Sequence, residues 1–249
     1  MQGFTKEKDT NCSGLEGHNG GTQFSLQIVS GFEVASVIAS VFITTWVLIP
    51  LQPEPQWLAL MPGLFAIALI LNSHRVRGER FREVAGSIRN FWQALRLITL
   101  PTIAICGAIA TIGFTTNSFH QTSHFWANLF VVPVWALVQQ YVLQAFIFRR
   151  MKWMFVREST SSTEQTRGIR LAILATAVIF SLTHLPNLML MLLTLLGALL
   201  WSWVYERAPN LFALGLSHAA ISLMLMTSAP AWLLPSMSVG YKHFLYQKF

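Results

Sequence analysis

The stretch FWANLFVVPVWALVQQYVLQAFIFRR, residues 125–150, decides how the rest of the chain is read. About 20 predominantly apolar residues suffice to cross a bilayer as a helix, and this run is long enough. It closes on Arg149 and Arg150, and three glutamines, Gln139, Gln140 and Gln144, interrupt its middle. A primary amide offers two donors and two acceptor lone pairs, and hydrocarbon offers it no partner. The three amides therefore face other helices, a polar cavity, or both.

The remainder of the chain belongs to the same setting. Of its 249 residues 53% are hydrophobic and 11% charged, with mean hydropathy +0.51. Soluble domains carry about 25% charged residues. The composition thus predicts an all-α, polytopic integral membrane helix bundle. Residues 1–24 are polar and rich in Gly, Asn and Thr, without the short apolar core of a secretory signal, and are expected to form a mobile tail. Residues 25–249 are expected to form a single helical membrane domain. Cys12 falls in the tail and Cys106 in an apolar run, so no disulfide framework is indicated. The net charge of +7 comes from arginines beside apolar segments. There they read as topology signals and as contacts for anionic lipids, not as a nucleic-acid surface.

Seven spans follow from the hydropathy pattern, at about 28–49, 57–72, 97–114, 125–150, 171–184, 188–205 and 211–228. The closing PAWLLPSMSVGYKHFLYQKF is too polar and proline-interrupted for a clear crossing, and leaves open an eighth, re-entrant or C-terminal segment. Loops 73–96 and 149–170 hold most of the arginines, whereas 115–124 has neither Lys nor Arg. The positive-inside rule then puts both basic loops in the cytoplasm, and short loops favour a bacterial plasma membrane. Within the first basic loop, Phe81, Val84, Ile88, Phe91, Trp92 and Leu95 recur at helical spacing and predict an amphipathic helix on the membrane surface. Glu33 is the acidic residue that lies within an apolar span, near its end, and no role is assigned to it. No internal repeat supports an inverted-repeat transporter.

Three polar pairs share one spacing. Gln140 and Gln144, Phe180 and His184, and His218 and Ser222 are each four apart, hence on one helix face. At 1.5 Å per residue, Gln139 lies about 15 Å from Arg149, His218 about 16 Å from Arg207 and His184 about 21 Å from Arg170. Three helices thus bring amides and imidazoles to similar depth near the middle of a core about 30 Å thick. A single membrane histidine or glutamine also serves as a helix–helix hydrogen bond. The coincidence of depth and spacing is what points to a functional site.

The order QQYVLQAF, FSLTHLPN, LSHAAIS resembles the three motifs of the CPBP family, intramembrane endopeptidases similar to the type II CAAX prenyl endopeptidases and bacteriocin-processing membrane proteins. The family pattern is two adjacent glutamates with an arginine four positions after the second, then Phe and His separated by three residues and often followed by Leu-Pro-Asn, then His and a polar residue four later. Phe180, His184 and Asn187 match the second motif, and His218 matches the third with Ser222 in the place of asparagine. VGYKHF, residues 239–244, is similar to the end of many members, so the resemblance covers about 90–245. Gln139 and Gln140 stand at the glutamate positions and Gln144 at the arginine.

The resemblance implies hydrolysis of a peptide bond in a membrane-anchored protein or peptide, prenylated or otherwise lipid-anchored. It implies His184, His218, Gln139 and Gln140 as the catalytic set, with Gln144, Phe180, Asn187 and Ser222 lining the pocket. In the family a glutamate activates water. A glutamine cannot take that proton and can only orient water or stabilise an oxyanion, which leaves histidine as the base. Zinc on His184 and His218 is the metal such a site suits, short of a third ligand. The alternative is a catalytically inactive member that binds a membrane protein, peptide or lipid; a small transporter is the weakest reading.

Overall fold

The computed structural model describes residues 16–52, 54–120, 125–156 and 161–246, and every regular element among them is helical. Helix α1 (Glu16–Phe42) passes through a π turn at Ile43–Leu48 and ends at Leu51. A 3₁₀ turn, Gln56–Leu60, leads into α2 (Met61–Val76), where Pro62 sits in the first helical turn and does not kink an established helix. Then come the short α3 (Phe81–Ala85), α4 (Ile88–Thr115) and α5 (Phe125–Gln140). Helix α5 runs on through a π turn at Tyr141–Phe148 and a last stretch, Arg149–Phe155. Helices α6 (Ser162–Leu182), α7 (Leu188–Arg207), α8 (Leu211–Ser228) and the short α9 (Tyr241–Tyr246) complete the chain.

Among the described residues, seven segments are long and apolar enough to cross a membrane. Their number and order are those expected, and the last, Leu211–Ser228, has the expected bounds. The tail segment 1–15 lies outside the described residues, and α1 begins at Glu16, inside the stretch expected to be a tail. Residues 229–240 make turns and bends and α9 is one short helix, so no eighth crossing forms there.

Two expectations at the basic loops are corrected. The amphipathic surface helix over 73–96 does not form as one unit. Gly86, at φ +91°, breaks it, and Ser87 caps the N-terminus of α4 by accepting from the Asn90 amide at 3.2 Å. The arginine-bearing stretch beyond it is thus the first part of a membrane helix, which starts at residue 88 instead of 97. Gly86 is also a close-approach site: a Cβ there would lie 1.9 Å from the Pro209 carbonyl oxygen. Likewise, α6 starts nine residues before the expected 171, at Ser162, because Ser161 and Glu164 form a capping box.

The core forms where α8 packs between α4 and α5, and α6 lies along α7. At the basic end a buried ionic cluster closes the bundle. Arg150, read from the sequence as a lipid-facing topology signal, is fully buried. It donates to Glu79 at 3.1 and 2.9 Å and to Ser73 at 2.9 Å. Arg149 donates to the same carboxylate at 2.9 and 2.7 Å, and His74 is hydrogen-bonded to it. Glu33 pairs with Arg77 at 2.7 Å and with Arg150 at 3.2 Å. The guanidiniums of Arg77 and Arg150 also lie over the Trp153 ring, 4.3 and 4.9 Å from its centroid. Burial pushes the Glu79 carboxyl upward, but its bonds from His74, Arg150 and Arg149 outweigh this and hold it well below the usual carboxylate range. Lys152 and Glu206, 2.7 Å apart, tie the end of α5 to the end of α7.

The opposite end is held by hydrogen bonds between uncharged groups. Ser118 Oγ donates to the Ser228 carbonyl at 2.8 Å and the His120 amide to the Thr227 carbonyl at 3.0 Å. The loop 229–240 is pinned over this end, since the Gly240 amide donates to the Leu185 carbonyl at 2.7 Å.

Candidate functional site

The first motif lies at the junction between α5 and its π turn. A π turn replaces i→i+4 bonding by i→i+5 and re-aims the side chains that follow. Gln140, the last α-helical residue, is buried, and its Nε2 donates to Nδ1 of His218 at 3.3 Å. Gln144, inside the π turn, is fully buried, with neither amide atom hydrogen-bonded. It does not line the cavity that holds the histidines. The spacing of four that placed Gln140 and Gln144 on one face presumed an unbroken α-helix. Gln139 faces the cavity instead.

The second motif lies where α6 ends. His184 sits in the turn after Leu182, and its Nδ1 is 2.8 Å from the Phe180 carbonyl oxygen. A carbonyl only accepts, so Nδ1 carries the proton in the neutral ring and Nε2 keeps a free lone pair. The Phe180 ring packs edge-on against both imidazoles, with centroids 4.8 Å from His184 and 6.2 Å from His218. Asn187 lines none of the cavities around the site. It caps α7 by accepting from the Leu190 amide at 3.2 Å, and it donates to the Ser236 carbonyl at 2.8 Å. It therefore joins the second motif to the loop 229–240.

The third motif is on α8. His218 is buried and stacked on Trp201, with centroids 4.3 Å apart and planes at 29°. Trp201 Nε1 donates to Ser217 Oγ at 3.2 Å, and Ser217 is bonded in turn to Thr102 at 2.7 Å. With Gln140 donating to Nδ1 of His218, the ring proton lies on Nε2. The two histidines are thus held in opposite tautomers. Trp201 was not legible as a site residue, because it lies on a different helix from His218 and no periodicity links them.

Gln139, His184, His218 and Ser222 line one cavity of about 280 Å³, walled also by Trp201. A second, more apolar cavity of about 340 Å³ lies between α1, α2, α5 and α6. Trp135, Gln139, His184 and Val239 are common to both. The structure therefore brings four of the eight expected residues to one cavity. Gln140 and Phe180 stand directly behind the histidines, and Gln144 and Asn187 lie away from it.

Among the described residues, no three His, Cys, Asp or Glu side chains come together to hold a metal. A zinc site draws at least three ligands from protein, and two histidines beside a glutamine do not make a usual donor set. Glu33 and Glu79 are committed to the ionic cluster.

The family model for type II CAAX prenyl endopeptidase Rce1-like proteins matches residues 121–224, a stretch that carries all three motifs. No curated protein and no solved structure matches the chain. Over residues 121–224 the chain carries a domain of the Rce1-like, type II CAAX prenyl endopeptidase (CPBP) family.

Proposed function

We propose that the protein is an intramembrane endopeptidase whose general base is His184, not a glutamate. The observation that carries this reading is the pair of histidines on one cavity, each held through Nδ1, His184 at the Phe180 carbonyl and His218 at the Gln140 amide. His184 offers the Nε2 lone pair that can take a proton from water as the water attacks a peptide carbonyl. His218, held by Gln140, offers Nε2–H to the oxyanion that develops. The imidazolium of His184 then returns its proton to the leaving amine. Gln139 orients the water or the substrate carbonyl, and Ser222 adds a hydroxyl on the same wall. Stacking on Trp201 and packing on Phe180 hold both rings in place, and no step passes through a metal.

The apolar cavity that shares Trp135, Gln139, His184 and Val239 with the site suits a membrane-associated substrate, prenylated or otherwise lipid-anchored. Incubation of the purified protein with a lipid-anchored reporter peptide tests the reading. His184→Ala and His218→Ala are each expected to lower cleavage about 10²–10⁴-fold, the usual contribution of a general acid–base group. Cleavage that survives both substitutions removes the mechanism.

A second reading rests on a specific observation. Every first-motif position is an amide, and among the described residues no carboxylate lines the histidine cavity. A member that binds a membrane protein, peptide or lipid without cutting it would keep the tautomer pair and the apolar cavity and show no turnover in the same assay.

A further inference from the structure

The arginines at the basic end fall into two groups once their partners are known. Arg77, Arg149 and Arg150 are committed to Glu33 and Glu79 inside the bundle. Every ion pair among the described residues goes to Glu33, Glu79 or Glu206, and none of them uses Arg89 or Arg96. Both of these arginines are exposed, on the first two turns of α4.

They share one cleft. Arg89, Trp92, Gln93 and Arg96 are spaced i, i+3, i+4 and i+7, hence on one helix face, and they line an open cleft of about 570 Å³. Ala94 and Ile98, on the opposite side of α4, are buried. The exposed face continues along the helix as an apolar stripe. Leu100 is 75% exposed and Ile103 62%, and a Cβ at Gly107, one turn further on, would meet nothing within 4 Å. From Leu97 to Thr115 the helix rises about 27 Å, close to the thickness of a hydrocarbon core, about 30 Å. Arg96 therefore stands at the boundary of that core, and Arg89 lies about 10 Å further out, beside the headgroups.

From this arrangement we infer that the face is a binding site for one anionic glycerophospholipid. Its phosphate lies between the Arg89 and Arg96 guanidiniums, whose forked donors match phosphate oxygens. Its glycerol backbone lies against Trp92, since indole rings settle at the headgroup level. Its acyl chains run along Leu100 and Ile103 into the space at Gly107. A choline headgroup would bring a fixed cation beside two unpaired guanidiniums, so the site selects against it. A soluble phosphate would use the guanidiniums and leave the apolar stripe unused. The positive-inside rule puts this end in the cytoplasmic leaflet, where anionic lipids attract interfacial arginines. The site is separate from the histidine cavity and does not depend on turnover.

Native mass spectrometry of the full chain in detergent tests it, with phosphatidylglycerol, phosphatidylcholine or glycerol phosphate titrated in. One phosphatidylglycerol is expected to bind in preference to phosphatidylcholine, with glycerol phosphate not retained at the same concentration. Arg89→Gln with Arg96→Gln should weaken phosphatidylglycerol binding about tenfold or more, the scale of two interfacial arginines. Arg75→Gln with Arg82→Gln removes the same charge from exposed positions outside the cleft and should leave that binding unchanged. Equal binding of phosphatidylcholine, or equal loss in both double variants, overturns the site. Glycerol phosphate held as tightly as the lipid overturns the lipid assignment.

Discussion

Gln140 donates its amide Nε2–H to Nδ1 of His218 across 3.3 Å, from α5 to α8, inside the core. A position where the family carries an acceptor-only carboxylate therefore holds a donor toward the histidine. That exchange sets which ring nitrogen of His218 faces the cavity with a proton. Gln140→Glu is expected to reverse it, since a carboxylate accepts and draws the ring proton to Nδ1. ¹⁵N-edited spectra of histidine-labelled protein should show an Nε2–H tautomer for His218 in the wild type and Nδ1–H in the variant. A wild-type signal already in the Nδ1–H form contradicts the assignment.

Removal of Arg150 should be severe. Arg150→Met leaves Glu79 and Glu33 in a buried site with one guanidinium fewer, and breaking a buried ionic network from one side costs about 3–5 kcal/mol. Thermal unfolding in detergent should shift down accordingly. Adding Glu79→Gln to Arg150→Met should recover part of the loss, because it removes the carboxylate left short of charge. A double variant no better than the single one would mean that Glu79 is not what Arg150 neutralises.

The same carboxylate gives a pH dependence of defined sign. Glu79 has a folded-state pKa well below its ordinary value of about 4.3. Between those two values the unfolded chain binds the proton and the folded one does not, so stability rises with pH there. The contribution is fully present above the ordinary carboxylate range and is lost as pH falls toward the depressed value. Melting temperatures from pH 7 down to about 3 should fall more steeply for the wild type than for Glu79→Gln.

Gly86→Ala combines two penalties. The residue lies at φ +91°, and the added Cβ would meet the Pro209 carbonyl oxygen at 1.9 Å. Backbone strain alone is worth about 1–3 kcal/mol. The contact should also separate the α3–α4 junction from the α7–α8 loop, where Asn210 donates to the Ser87 carbonyl at 3.2 Å. The variant should melt lower, and amides at Ser87 to Asn90 should exchange faster. A neutral result would mean that the junction yields freely.

The membrane class, the seven spans and the three motif positions were legible because each depends on local information. Hydropathy acts residue by residue, and arginine placement marks the ends of spans. The His-x-x-x-Ser spacing put its members on one face of α8 without help from the rest of the chain, whereas His184 falls in the turn after α6. The capping box at Ser161 and Glu164 was equally local, yet it lies inside 149–170, which was read as one basic loop.

What only the tertiary structure decided is which polar groups meet across helices. Gln139, Gln140 and Gln144 are one motif in the chain. In the bundle, Gln139 faces the cavity, Gln140 holds His218 and Gln144 is enclosed. The direction of Gln144 depends on a π turn that no residue pattern announced. Glu33 and Arg150 are 117 positions apart in the sequence, and only the packing of α1 against the end of α5 makes them partners. Intramembrane polar groups must find one another or water, because lipid offers them nothing. The sequence by itself determined that such groups are present and on which spans they lie; the partners each one took were settled by the packed helices.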